Sequence, residues 1–305
     1  MPESPEVQAL VEELDARLTG RALSEVDVIE FRVVKTRARP LERLVGERVT
    51  GVSRHGKLVD LGFGQAGHLV VSLGRHGWAR WAQADASGEP GDRAGADSST
   101  GPGADARQEA AASVDPPAPT LATLVFDDGA ALELTDAGQW VSLGCWVVDD
   151  PAEVPAVAKL GADPAGDGFD RAAFDGALAG RRKQVKAVLQ EQESFAGIGN
   201  AYSDEILHTA RVSPVEHASA LGTDALDRLF DATVGVIGGA IAARRGVPIA
   251  DLKATKVAAM RAHGRAGEPC PVCGDAIADF SFASTTAQYC PTCQTCGERL
   301  PLKGE

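Results

Sequence analysis

Two cysteine pairs constrain this chain more than any other feature of it. Cys270 and Cys273 are two residues apart, Cys290 and Cys293 likewise, and 16 residues separate the pairs. Each Cys-x2-Cys can sit on a tight turn, and two such turns at this separation bring four thiolates to the corners of a tetrahedron. This is the spacing of a zinc ribbon. The alternative, a set of free thiols, suits poorly a segment with so few core residues. Four sulfurs leave no open coordination position, so the expected cofactor is one structural Zn2+ rather than a catalytic one. Cys296 follows at the same interval and reads as a spare exposed thiol; Cys145, inside a strand-like pattern, reads as core. A ribbon does not by itself name a function. Lys253, Lys256, Arg261, His263 and Arg265 stand just before it, and basic residues beside a ribbon point toward nucleic acid.

Charge first argues the other way. The net charge of −13 disfavours a simple nucleic-acid binder. It is unevenly spread, however. Residues 82–120 carry seven acids against Arg93 and Arg107, whereas Phe31 to Lys57 carries eight lysines and arginines against Glu42 and Glu47. A local basic face can hold phosphate on an acidic molecule, although the same residues could simply guard a strand edge. No apolar stretch is long enough to span a bilayer, and the first residues lack a signal-peptide pattern. The expectation is a cytoplasmic protein with reduced cysteines and no membrane contact.

The 305 residues suffice for two domains. Val7, Leu10, Val11, Leu14 and Leu18 recur at helical spacing, with Ser4 as the expected cap, Pro5 at the first helical position and the helix ending near Gly20. Short strands are expected at Leu23–Ile29, Val49–Ser53, Leu58–Leu61 and Leu69–Leu73. Residues 82–120, rich in Gly, Ala, Asp, Ser and Pro, read as a disordered insertion. Leu121–Phe126 and Ala130–Thr135 flank Asp128-Gly129 as a hairpin, and Trp140 to Val148 reads as one more strand. From Asp170 the pattern is helical, with Tyr202 to Arg211 and a longer helix capped by Thr223. The fold class is α+β multidomain: an antiparallel β-sandwich with an N-terminal helix over 1–150, a helical domain over 151–263, and the ribbon over 264–297.

Four separated motifs then resemble one family in their order along the chain. Met1-Pro2-Glu3-Ser4-Pro5-Glu6-Val7 resembles the opening of the formamidopyrimidine-DNA glycosylase and endonuclease VIII family. Arg54-His55-Gly56-Lys57 is similar to its basic strand turn, and Ala196-Gly197-Ile198-Gly199-Asn200 through Glu205 to its helix–two-turn–helix signature. Gly264-Arg265-Ala266-Gly267-Glu268-Pro269-Cys270 and Tyr289-Cys290-Pro291-Thr292-Cys293-Gln294 resemble the two sides of its zinc finger. Together they cover nearly the whole chain.

The resemblance implies a bifunctional DNA glycosylase and AP lyase acting on damaged double-stranded DNA as a monomer. Once Met1 is removed, Pro2 presents a secondary amine, and an α-amino group titrating near about 8 is partly neutral at pH 7. Attack on sugar C1′ displaces the base and leaves an iminium, which acidifies the neighbouring C–H and permits strand cleavage by β- or β,δ-elimination. Glu3 would act as general acid or base and Glu6 would orient the amine. Lys57 and Lys186 match family lysines that contact phosphate. The Gly197–Asn200 turn offers Gly199 and Asn200 for the same purpose, and Arg265 stands at the finger's start. Arg75 occupies the position of a side chain inserted where the base is extruded. Without the other motifs, Pro2, Glu3 and Glu6 would read as ordinary helix-start residues. One departure is plain: the finger arginine expected five residues before the third cysteine is Thr285, and Ala287 replaces a threonine. That departure keeps open a non-catalytic DNA-damage binding protein on the same scaffold, or, further off, an unrelated zinc-ribbon factor.

Overall fold

The computed structural model describes residues 2–82, 118–283 and 285–301, apart from the side chain of Thr285. The expected insertion over 82–120 therefore lies, from 83 to 117, outside the described residues.

Helix α1 (Ser4–Leu18) buries Val7, Leu10, Val11, Leu14 and Leu18, the expected apolar stripe. Its cap is Glu3 rather than Ser4. Glu3 has extended backbone, Ser4 is already helical, and the Glu6 carboxylate turns back to accept the Glu3 N–H at 3.1 Å. Two four-stranded antiparallel sheets follow. One has the order β1 (Leu23–Val28), β6 (Thr120–Phe126), β7 (Ala131–Asp136), β5 (Gly77–Trp81); the other runs β2 (Gly51–His55), β3 (Leu58–Gly62), β4 (His68–Ser72), β8 (Gly144–Val148). Leu124, Phe126, Leu132 and Leu134 of the first share one core with Val59, Leu61, Leu69 and Val71 of the second and with α1. Cys145 lies in this core as expected, and burial pushes its thiol up to about 12.

The last strand is shorter than its apolar run. Only Gly144–Val148 pairs, while residues 137–143 form a loop organised by Asp136, whose carboxylate accepts from the N–H of Gly138, Ser142 and Leu143. That leaves Trp140 81% exposed. After α2 (Pro155–Ala158), helices α3 (Arg171–Leu178), α4 (Val185–Gln190), α5 (Asn200–Ala210) and α6 (Thr223–Arg244) enclose a second core of Phe174, Val188, Phe195, Ile206 and Leu229. Gly222, not Thr223, caps α6.

Helix α7 (Leu252–Ala259) crosses between the two halves. Ile249 and Leu252 pack into the sandwich core, and the Ile249 carbonyl accepts from the Trp78 indole at 3.2 Å. Strands β9 (Ala278–Phe282) and β10 (Thr285–Tyr289) pair antiparallel, and α8 (Pro291–Thr295) closes the finger. Among the described residues, no helix is long and apolar enough to cross a membrane.

Candidate active site at the domain junction

The start of α1 inserts into the helical domain, and the turn that receives it explains the sequence Gly197-Ile198-Gly199. The Ser4 N–H donates to the Gly197 carbonyl at 3.0 Å. Gly197 holds φ +91°, a conformation side chains resist, and a Cβ there would stand 2.5 Å from that of Ser4. A Cβ on Gly199 would stand 2.6 Å from the Glu3 carboxyl carbon. The Glu3 carboxylate accepts from the N–H of Gly199, Ala201 (3.0 Å) and Tyr202 (3.3 Å), so it occupies the positive end of α5. This corrects the expectation that the turn's amides await a phosphate. The Gly199 N–H is taken by Glu3, and the Gly197 N–H by the Gln192 side chain at 2.9 Å.

Around this junction the charges alternate. Lys256 reaches from α7 to Glu3 (3.2 Å) and Glu6 (3.0 Å). Glu6 also meets Arg244 of α6 at 2.8 Å and accepts from the Tyr202 hydroxyl at 2.7 Å. Burial works against the Glu3 carboxylate, but Lys256, Lys57 and the Gly199 N–H outweigh it and hold its pKa below 4.5. Burial likewise opposes the Lys256 ammonium, yet Glu3 and Glu6 raise its pKa. Lys57, half-buried after the Gly56 turn, makes no hydrogen bond or ion pair among the described residues; burial lowers its pKa, Glu3 opposes this and Lys256 adds to it.

Two cavities flank Lys256. One of about 280 Å3 is lined by Pro2, Glu6, Arg75, His76, Trp78 and Lys253. The other, about 450 Å3, is lined by Glu3, Asn200, His263, Gly264 and Arg265. Pro2 is buried beside the first. A larger space of about 650 Å3 between α5 and α6 lies behind Arg244, and its lining, which does not include Pro2, combines α6 residues with Tyr202, Glu205 and Met260.

The structure thus brings Pro2, Glu3, Glu6 and Arg75 to one place, with Lys57 near Glu3 and Asn200 and Arg265 on the adjoining cavity. Lys186 departs from its expected role as a phosphate contact. Its side chain is 0% exposed, and its ammonium is spent on Asp204 (2.6 Å) and Ser203 (2.7 Å). Arg265 donates to the carbonyls of Met260 and Val257, bracing the finger against α7. The Asn200 amide donates to the Thr286 carbonyl at 3.1 Å, tying the turn to β10. Sequence reasoning missed Lys256 and Tyr202 as site residues, and Arg244 altogether.

The four expected cysteines form one cluster, with all sulfurs within 4.8 Å of one another. Cys270 and Cys293 are 3.9 Å apart, Cys273 and Cys290 3.4 Å. Zinc–sulfur bonds of about 2.3 Å in a tetrahedron require edges of about 3.8 Å, so the cluster fits one zinc ion. Cys296 is exposed and outside the cluster. The His208 imidazole lies 3.2 Å from the Cys270 sulfur, where it can orient that ligand.

Comparison with known proteins finds the same three domains in the same order. Residues 1–140 match the formamidopyrimidine-DNA glycosylase N-terminal domain, residues 160–249 the H2TH domain of the same enzymes, and residues 267–295 a zinc finger found in them and in isoleucyl-tRNA synthetases. Fold and site together define a zinc-finger DNA glycosylase of DNA repair. A formamidopyrimidine-DNA glycosylase of Mycolicibacterium gilvum is 32% identical over 310 residues, covering 96% of this chain and 98% of that one. An uncharacterized formamidopyrimidine-DNA glycosylase-like protein of Mycobacterium tuberculosis is 44% identical over 149 residues, 49% of this chain and 93% of its own. The Lactococcus lactis formamidopyrimidine-DNA glycosylase bound to DNA containing an AP site shares the fold with a TM-score of 0.75 at 24% identity, covering 96% of this chain and 99% of that one. The chain belongs to the formamidopyrimidine-DNA glycosylase family.

Proposed function

We propose that this protein is a bifunctional DNA glycosylase and AP lyase that removes oxidised bases from duplex DNA, with Pro2 of the Met1-processed chain as nucleophile. The carrying observation is the cavity that Pro2 shares with Glu6 and Lys256, one residue from a Glu3 carboxylate fixed by α5. The free Pro2 nitrogen bonds to C1′ as the bond to the base breaks, and the base leaves with the electron pair and takes up a proton. The Pro2 nitrogen then loses its proton, and the C1′–O4′ bond opens to an iminium as O4′ leaves with the electron pair and takes up a proton. Loss of a C2′ proton and of the 3′ phosphate cuts the strand by β-elimination, which a δ step can follow.

Glu3 enters this sequence as a carboxylate, because its surroundings keep it ionised. It can accept a proton and stabilise the iminium, but it is a poor resting acid at neutral pH. Lys57, which makes no ion pair among the described residues, supplies a cation for the phosphate beside the lesion. Arg75 and the exposed Trp140 stand on neighbouring loops, where they can fill the space an extruded nucleotide leaves. Asn200 and Arg265 line the adjoining cavity, where a backbone phosphate would be held. The protein acts as a monomer on the nucleoid, in the cytoplasm.

The test is a panel of duplexes carrying an oxidised purine, an oxidised pyrimidine or an abasic site. Base release and strand nicking on at least one, with loss of both in Pro2→Gly, is expected. Tight binding without base release or nicking on any would instead favour a damage-binding protein.

A further inference from the structure

Helix α7 brings a residue to the site that none of the family-like motifs contains. Lys256 lies on the wall common to the two cavities, its side chain only 13% exposed, and its ammonium meets both Glu3 and Glu6. It also sits 5.0 Å above the Tyr202 ring, whose face favours a cation. α7 is anchored for this purpose at its other end by Ile249 and Leu252 in the sandwich core. The helix therefore cannot drift without disturbing both domains.

We propose that Lys256 is a positioning residue that balances Glu3 and Glu6, so that the freed Pro2 amine beside them stays neutral and nucleophilic. This rests on Pro2 being the nucleophile. The titratable groups sharing the Pro2 cavity are Glu6 from the first turn of α1, Arg75 and His76 from the β4–β5 loop, and Lys253 and Lys256 from α7, while Glu3 follows Pro2 in the chain and meets Lys256. Behind the carboxylates stand Arg244 on α6, Tyr202 on α5 and Lys57 on the β2–β3 turn. Two buried carboxylates next to an amine favour its protonated form, because an ammonium would pair with them. An ammonium already bridging both removes that incentive and adds its own repulsion. Removing Lys256 therefore raises the amine's proton affinity and depletes the neutral nucleophile at pH 7.

The experiment measures single-turnover strand cleavage of an abasic-site duplex from pH 5 to 9 for the wild type, Lys256→Met, Lys256→Arg and Pro2→Gly. For Lys256→Met the rising limb should move about one unit to higher pH. Its rate deficit should be about tenfold at pH 7 and shrink as the pH is raised. Lys256→Arg should keep the wild-type profile, which also answers any failure of the Met variant to fold. A deficit in Lys256→Met that is equal at every pH, or a displaced limb in Lys256→Arg, overturns the inference. If Pro2→Gly cleaves like the wild type, the nucleophile assignment itself is at fault. If Pro2→Gly is inactive and Lys256→Met has the wild-type profile, this inference alone fails.

Discussion

The Glu3 carboxylate lies against Gly199 so closely that a methyl group on Gly199 would stand 2.6 Å from the Glu3 carboxyl carbon. The contact joins the first turn of the sandwich domain to the first turn of α5. It makes one feature out of two motifs that are 196 residues apart. Gly199→Ala should therefore act as an overpacking substitution, costing about 1–3 kcal/mol in urea unfolding. It should also impair base excision more than Gly222→Ala, a position where an added Cβ meets nothing within 4 Å.

The Lys186–Asp204 pair, both side chains 0% exposed, is a buried ion pair whose partners are fully engaged. Asp204 also meets His263 at 2.6 Å and accepts from the Gln288 N–H at 3.2 Å, so it binds α5 to the finger. Lys186→Met would leave that carboxylate buried without its cation. The expected cost is about 3–5 kcal/mol in chemical denaturation. A loss confined to DNA affinity, with stability unchanged, would restore the reading of Lys186 as a phosphate contact.

How far the sequence revealed the site depends on distance along the chain. The cysteine spacing, the stripe of α1 and the Asp128-Gly129 hairpin are local patterns, and each is present in the structure. The convergence of Lys256, Arg244 and Tyr202 on Glu3 and Glu6 is not local, because it depends on how α5, α6 and α7 pack. The Gly197–Gly199 turn was legible as a tight turn, but its occupant, a carboxylate from the other end of the chain, was not. Lys186 left one usable sign: it sits in a six-residue helix among Val185, Val188 and Leu189, all buried. Trp140 was misplaced because its apolar neighbours imitate a strand, whereas Asp136 gathers the intervening amides into a loop.

The pH dependence of stability follows from Glu3. Its folded pKa is below its ordinary value of 4.5, so the unfolded state binds the proton more readily. The resulting stabilisation is fully present above that value and is lost as pH falls through the folded pKa. Asp60, which burial would raise but His55 and His68 bring down on balance, contributes with the same sign. Urea midpoints should fall steeply below about pH 4.5, and Glu3→Gln should flatten that slope.

The finger should carry one zinc ion per chain, measured by metal analysis of the purified protein. Cys290→Ser should abolish it, because Cys290 is a buried member of the four-sulfur cluster. Cys296→Ser should leave the zinc content unchanged, since that thiol lies outside the cluster. Retention of zinc in Cys290→Ser would contradict the assignment.

Borohydride trapping bears most directly on the central claim. The protein is incubated with an abasic-site duplex, reduced, digested, and the DNA-bearing peptide located by mass spectrometry. The account predicts a stable adduct on the N-terminal peptide, at the nitrogen of Pro2 with Met1 absent, and none in Pro2→Gly. An adduct on a lysine instead, or efficient strand cleavage by protein that retains Met1, would contradict it.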